Sequence, residues 1–274
     1  LSSAKTISAI TKANPGVLTS NSHGYSNGDE IYLTNSSAMT EMTVRNYLVA
    51  DVTTNTFTLT DLYGVAINTT SFTTFDSGVT TAKIYEVATP YTSAQVNDVR
   101  FAQSADVMYL VHPSHAVRTL SRTDHNAWAF ATPTINENDT PVLTSSDNYP
   151  SVVTFFEQRL VFAASNNNPQ TLWFSKNADY LNFHTGTADN DALIYTIASN
   201  KVNAIRYLSA TRILNIGTSG GEYVLTTTNG GPVTPTQTVI RKYSNYGCID
   251  SEVVQVADVT LFAQRGARKV REFR

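Results

Sequence analysis

Apolar and polar positions alternate along most of this chain in short runs, and from residue 100 onward one arrangement returns four times. A strand-like apolar run is followed by a break of a few residues, a second and stronger apolar run, a polar turn and a third run. The second runs begin at Asp106, Arg159, Arg212 and Asp258, so successive starts lie 53, 53 and 46 residues apart. Several strands per unit at a pitch near 50 residues is the pattern of a propeller-like β array. Such a unit cannot bury its own apolar face and needs neighbours on either side. The sequence stops at Arg274, within the fourth unit, and the expectation is a piece of a larger repeat-built protein.

Before the repeats the texture differs. Residues 1–5 read as a polar lead-in, and 6–83 as a small β-barrel or sandwich module. Asn14-Pro15-Gly16 and Asn27-Gly28 are turn signals. Ile31-Tyr32-Leu33 follows the second as a strand. The runs from Tyr47 to Val52 and from Phe57 to Thr60 flank Thr53-Thr54-Asn55-Thr56 as a hairpin, with Val52, Phe57 and Leu59 pointing inward by the period of two. Residues 84–274 form the propeller-like part. Thr92 or Ser93 is placed to cap one helical turn. The polar stretch 132–149 reads as a long surface loop, and 177–191, with Tyr180, Leu181 and Phe183, as an ordered excursion. The fold class is therefore all-β: a small module plus part of a propeller-like array.

Composition supports this. Of 274 residues 41% are hydrophobic and only 15% charged, against about a quarter in a typical globular chain. Thr, Ser and Asn, residues of strands and turns, fill the polar positions. The net charge of −3 gives no basic field for nucleic acid. The exception is local: Arg265, Arg268, Lys269, Arg271 and Arg274, broken by Val270 and Phe273, read as the charged face of an edge strand, with a phosphate-contacting patch as the alternative. The single cysteine, Cys248, forms no intrachain disulfide and no Cys-based zinc site. No apolar run approaches the roughly 18 residues that span a bilayer as a helix.

Candidate chemistry is sparse. His112 and His115 stand three apart and His125 ten further on, but positions three apart in a strand-and-turn context need not share a face, and no Cys joins them. His184, beside Phe183, reads as a buried or turn histidine. A Gly-x-Ser-x-Gly elbow is absent. Thr218-Ser219-Gly220-Gly221 lacks the Lys of a phosphate loop and reads as a hairpin turn; Asn229-Gly230-Gly231-Pro232 reads as a loop. Glu137, Asp139 and Asp147 fall in one loop and Asp189 and Asp191 in another. Their separation, which decides glycosidase chemistry, is not readable, and solvated carboxylates are the simpler reading. Trp128 and Trp173 read as core packing, with sugar stacking as the sharper alternative. No catalytic, cofactor-binding or metal-ligating residue is assigned, no cofactor is implied, and no enzymatic activity is expected.

Two stretches resemble known families. Ile7-Ser8-Ala9-Ile10, Pro15-Gly16-Val17-Leu18-Thr19, the run from His23 to Asp29, Tyr47-Leu48-Val49-Ala50 and Asn55-Thr56-Phe57-Thr58-Leu59 resemble a β module of many phage tail proteins. That module is itself similar to the first catalytic cysteine half-domain of ubiquitin-activating enzymes. It carries no cysteine here, so thioester chemistry is not implied. The runs from Ile84 to Tyr91 and from Arg100 to Pro113 look like tail nozzle or DNA-stabilisation proteins of tailed phages. So do Thr119-Leu120-Ser121-Arg122, Gln158 to Ala163, Thr171 to Ser175 and Ala263 to Phe273. The resemblance implies a virion tail protein whose copies form a homo-oligomeric ring at the tail end, shaping or sealing the genome exit channel. It implies other tail proteins as partners, on the adaptor or portal side and among fibres or spikes. It also implies transient passage of phage DNA, and host contact through the 6–83 module, read as an insertion between early propeller strands. The alternative reading is a propeller adhesin that binds carbohydrate or a host receptor; a polysaccharide depolymerase is a third.

Overall fold

The computed structural model describes residues 1–34, 39–42, 45–139, 141–228 and 230–273. Thr140, Asn229 and Arg274, which belong to the stretches quoted above, lie outside the described residues. Every described element is a strand or a short 3-10 turn. The chain divides into two compact units, Leu1–Val87 and Ala88–Arg274.

The first unit is a single curled sheet of seven strands. They are β1 (Lys5–Thr6), β2 (Ala9–Ile10), β3 (Val17–Thr19), β4 (Glu30–Thr34), β5 (Arg45–Ala50), β6 (Thr56–Thr60) and β7 (Thr80–Lys83), in the order β1-β7-β4-β5-β6-β3-β2. Alternation places Ile31 and Leu33 of β4, Tyr47 and Val49 of β5, and Phe57 and Leu59 of β6 in one core with Ile7, Leu18, Met39 and Met42. Val52 packs against it. Each fully buried aliphatic or aromatic side chain contributes about 1.5–3 kcal/mol relative to exposure. Gly28 at φ +89° makes the turn before β4, a conformation in which a Cβ would be strained. At the β5–β6 turn Thr53 Oγ1 accepts from the Thr56 N–H at 3.0 Å, replacing a backbone partner. The first residues are tied in: the Lys83 N–H donates to Ser2 Oγ at 2.8 Å.

The second unit contains four antiparallel sheets in chain order. The first holds β8 (Arg100–Ser104), β9 (Val107–His112), β10 (His115–Asp124) and β11 (Ala127–Ala131). A two-residue strand, β12 (Asn136–Glu137), follows. The second sheet is β13 (Val152–Phe156), β14 (Arg159–Ala163), β15 (Thr171–Phe174) and β17 (Leu193–Thr196). Between β15 and β17 the chain leaves this sheet, and β16 (Asn182–Phe183) pairs in parallel with β12. The third sheet is β18 (Ile205–Ala210), β19 (Leu214–Thr218), β20 (Gly221–Thr227) and β21 (Thr238–Ser244). The fourth is β22 (Val254–Val256), β23 (Val259–Ala263) and β24 (Val270–Phe273). The four repeated strong runs are the second strands, β9, β14, β19 and β23. The all-β, propeller-like fold expected from the sequence is what forms.

Why the runs are so continuously apolar is visible in β14 and β15, where every residue is buried. Leu160, Phe162 and Trp173 face Tyr109, Val111 and Val117 of the first sheet. Val161, Leu172 and Phe174 face Leu214, Ile216, Tyr223 and Leu225 of the third. A further cluster of Tyr207, Val224, Cys248, Phe262 and Phe273 joins the third and fourth sheets. First and second strands are joined by two-residue turns at Ala105-Asp106, Glu157-Gln158 and Ala257-Asp258. Ala105, Glu157, Gln158 and Ala257 sit there at φ between 46° and 59°. Their twist matches that of the flanking strands, which is why positive φ is tolerated without glycine. Ser219-Gly220 is the hairpin turn that the sequence suggests.

The helical turn expected near Thr92 is a 3-10 turn at Val96–Asp98, and its capping runs the other way round. Gln95 Oε1 accepts from the Thr92 N–H at 3.1 Å and from its hydroxyl at 3.2 Å, so the glutamine reaches back to the threonine. The 132–149 stretch is no free surface loop. Leu143 within it is fully buried among the residues joining the first two sheets, because Glu137 folds the loop onto itself. Its carboxylate accepts from the Leu143 N–H at 2.7 Å and the Thr144 N–H at 3.2 Å.

Gly217 of β19 lies against the Tyr207 ring so closely that an added Cβ would sit 1.9 Å from it. Gly217→Ala is expected to lower unfolding free energy in urea by about 1–3 kcal/mol, the usual range for overpacking. Tyr207→Ala in the same chain should remove part of that penalty, read as a non-additive double-mutant cycle.

Candidate functional site

The first strands of successive sheets converge. β8, β13 and β18, with residues 251–253 leading into β22, line one cavity of about 420 Å³. At its edge Asp250 carries two partners. Its Oδ2 lies 2.5 Å from Arg206 Nη1 of β18, and its Oδ1 lies 3.5 Å from Arg100 Nη2 of β8. One carboxylate thus links the first strand of the first sheet to that of the third. Arg100 is further held by the Asn97 carbonyl at 2.8 Å. Asp250 and Arg206 are solvent-accessible, so the arrangement contributes little stability, about 0–1 kcal/mol per pair. Its effect is to fix two guanidinium groups at the mouth of a cavity that also presents Phe101 and Glu252.

His112 and His115, whose three-residue spacing need not have put them on one face, do share a neighbourhood. Pro113-Ser114 is a two-residue turn, so the histidines face each other across the β9–β10 hairpin with ring centroids 5.1 Å apart. The Ser114 N–H donates to His112 Nδ1 at 3.0 Å, which puts the proton of neutral His112 on Nε2. His115 Nε2 lies 3.1 Å from Gln95 Oε1. Burial, reinforced by His115, pushes the His112 imidazole below its ordinary range, with Asp98 opposing. Among the described residues no three His, Cys, Asp or Glu side chains group as a metal site. His184 is exposed at a turn, its N–H donating to Asn182 Oδ1 at 3.1 Å. His23, in the first unit, is buried between Tyr25 and Phe57.

Three of the loop carboxylates, Glu137, Asp139 and Asp191, are engaged in folding the loops. Glu137 closes the 137–144 turn, and Asp139 accepts from the Thr185 hydroxyl. Asp191 pairs with Lys176 at 3.0 Å and accepts from the Ala188 N–H. Lys176, then the Ala188 amide, hold its carboxyl below the usual carboxylate range. The 177–191 excursion is ordered by Arg159, which is fully buried. Its guanidinium donates to the carbonyls of Ser175 at 2.8 Å, Asp191 at 2.6 Å and Asp189 at 2.7 Å. Sequence reading gave Arg159 only a place at the head of a strand.

Trp173 is 1% exposed and packs as expected, its Nε1 donating to the Pro141 carbonyl at 2.7 Å. Trp128 does not: it is 43% exposed on the edge strand β11, with Arg122 over its ring at 5.8 Å. An edge strand has no outer neighbour to cover a ring of that size. In the basic run, the Arg271 guanidinium lies 3.6 Å from the Tyr246 ring centroid and its Nε donates to Gln264 Oε1 at 2.8 Å, while Arg268 and Lys269 are exposed. β24 is an edge strand, as the sequence suggests.

Sequence reading also missed a buried polar group between the third and fourth sheets. Glu222 is fully buried, with Oε2 accepting from the Ser244 hydroxyl and from the Tyr246 N–H. Beside it burial pushes the Cys248 thiol up to about 12, with Glu222 adding to the shift, so Cys248 stays an unreactive thiol.

No protein-family model matches this chain, and no curated protein does. Among solved structures it is similar to the chain described as phage phi92 endosialidase, with a TM-score of 0.35 and 15% sequence identity. The match covers 94% of this chain and 46% of that one, so this chain spans less than half of its length.

Arg159→Ala should lower unfolding free energy by about 3 kcal/mol, since the buried Ser175 carbonyl and the part-buried carbonyls of Asp189 and Asp191 lose their donor. It should also bring new protease cleavage within 177–191 at native conditions. His112 binds protons less readily folded than unfolded. Its contribution to stability is therefore complete above the unfolded value of about 6.5 and is lost as pH falls through the lower folded value. His112→Asn keeps an acceptor for the Ser114 N–H but does not titrate, and its stability curve should be flatter than the parent's below pH 6.5.

Proposed function

We propose that this chain is a non-enzymatic structural part of a bacteriophage tail, located in the virion. In this reading it is a nozzle or tail-end ring that shapes or seals the genome exit channel. The observation that carries the reading is the outer face of the fourth sheet. Val254, Val256 and Val270 are 60, 55 and 72% exposed. Cross-strand pairing puts them on the same face as Val259, Leu261, Ala263 and the exposed Glu272. The opposite face, with Thr260, Phe262 and Phe273, is buried. A valine-rich sheet face left uncovered is a seat for another sheet. In this reading the seat is taken by a further repeat or by another copy of this chain in a homo-oligomeric ring, in keeping with the nozzle-like motifs in β8–β9, β14–β15 and β23–β24.

The remaining partners belong to the same proposal: tail proteins of the adaptor or portal side, fibres or spikes, and DNA in transit. The low charge suits a channel that does not hold phosphates tightly. Host contact through the first unit draws on its 61–65 loop. There Asp61 Oδ1 accepts from the Tyr63 and Val65 N–H groups, and Tyr63 is 93% exposed between exposed Leu62 and Val65. A second reading, an adhesin that binds carbohydrate or a host receptor, is favoured by exposed Trp128, whose ring and overlying Arg122 offer a stacking platform.

Analytical ultracentrifugation should find a concentration-dependent oligomer that Val256→Lys dissociates, and electron microscopy of virions should place the chain in a ring at the tail end. A monomer at all concentrations, absent from virions, would remove the nozzle reading. Glycan-array binding lost in Trp128→Ala would favour the adhesin.

A further inference from the structure

A cavity of about 650 Å³ lies between the second and third sheets, at the rim opposite the Ala105-Asp106 and Ala257-Asp258 turns. Its walls come from β17, residues 197–203, β20, β21 and the turn after β23. Among the described residues three cations face it, Lys201, Lys242 and Arg265, and no carboxylate lines it. None of the three enters an ion pair within 4.0 Å among the described residues, although acidic residues outnumber basic ones in the chain, 22 to 19. Three like charges around one concavity repel one another, and that cost is offset when an anion occupies it.

The rest of the lining narrows the chemistry of that anion. Tyr195 and Tyr223 supply aromatic rings, with Lys242 Nζ 5.8 Å from the centre of the Tyr223 ring. Asn203 adds an amide. Hydroxyl-rich rings stack on tyrosines and bond to amides, and acidic substituents pair with Lys and Arg. The volume falls within the range of about 300–1,000 Å³ typical of small-ligand pockets. A duplex needs instead an extended basic stripe. We propose that this cavity binds an acidic saccharide, a sugar chain bearing carboxylate or phosphate groups. This goes beyond the tail reading and is independent of it.

Isothermal titration of the whole chain tests it with four probes: a hexuronate oligosaccharide, micelles of phosphorylated lipopolysaccharide core, a neutral dextran oligosaccharide and a single-stranded DNA 12-mer. Binding of either acidic sugar, at least about tenfold tighter than dextran and weakening with salt, supports the proposal. The first probe marks a free acidic glycan as the source and the second a lipid-borne headgroup. Lys201→Ala with Lys242→Ala should weaken binding by about tenfold or more, the two side chains being exposed and their loss leaving the denaturation midpoint unchanged. Tyr195→Ala should weaken the sugars more than DNA. Equal affinity for dextran, no binding of either acidic sugar, or tighter binding of DNA with the same loss in the double variant would each overturn the proposal.

Discussion

A sheet that is apolar on both faces has to lie between two others, and the second unit is organised around one that does. β13, β14, β15 and β17 send Leu160, Phe162 and Trp173 one way and Val161, Leu172 and Phe174 the other. Neither face can be solvated without losing several large buried side chains, so the first and third sheets are held to it together. The fourth sheet then joins the third through Tyr207, Val224 and Phe262, and through a hydrogen bond of 2.7 Å between the Ser209 and Thr260 hydroxyls.

Polar groups inside this stack act as ties between distant parts of the chain. Glu137 folds a loop so that Leu143 can enter the core; Glu222 holds the segment after β21; Asp250, at the surface, joins the first strands of the first and third sheets. Glu137 and Glu222 accept from backbone amides and the exposed Asp250 from two arginines, while Glu222 Oε1 is left without a partner among the described residues.

The parts legible in the sequence were those with local causes. The four strong runs are visible because each second strand sends apolar side chains into the stack, and Asn27-Gly28 and Ser219-Gly220 announce their turns by glycine. Ala105 and Ala257 take left-handed backbone at their turns without any residue that signals it. The His112–His115 contact depends on a turn of two residues, and spacing alone does not give turn length. Leu143 is hidden in a stretch whose composition is that of a solvated loop. Trp128 and Trp173 sit in similar apolar runs, and only position in the sheet, edge or interior, separates the exposed ring from the buried one. Lys201, Lys242 and Arg265 come from three separate segments, so no local window contains the basic cavity.

The hold of Arg159 on the 177–191 excursion has a bearing on how such proteins diversify. The guanidinium grips carbonyl oxygens of the main chain, at Ser175, Asp189 and Asp191, and these exist whatever side chains the segment carries. The path of the excursion is thereby decoupled from most of its sequence. Its outward-facing positions, His184 and Thr187 among them, form a region where residues can be exchanged, or a foreign segment of similar length grafted, while the sheet beneath is left as it is.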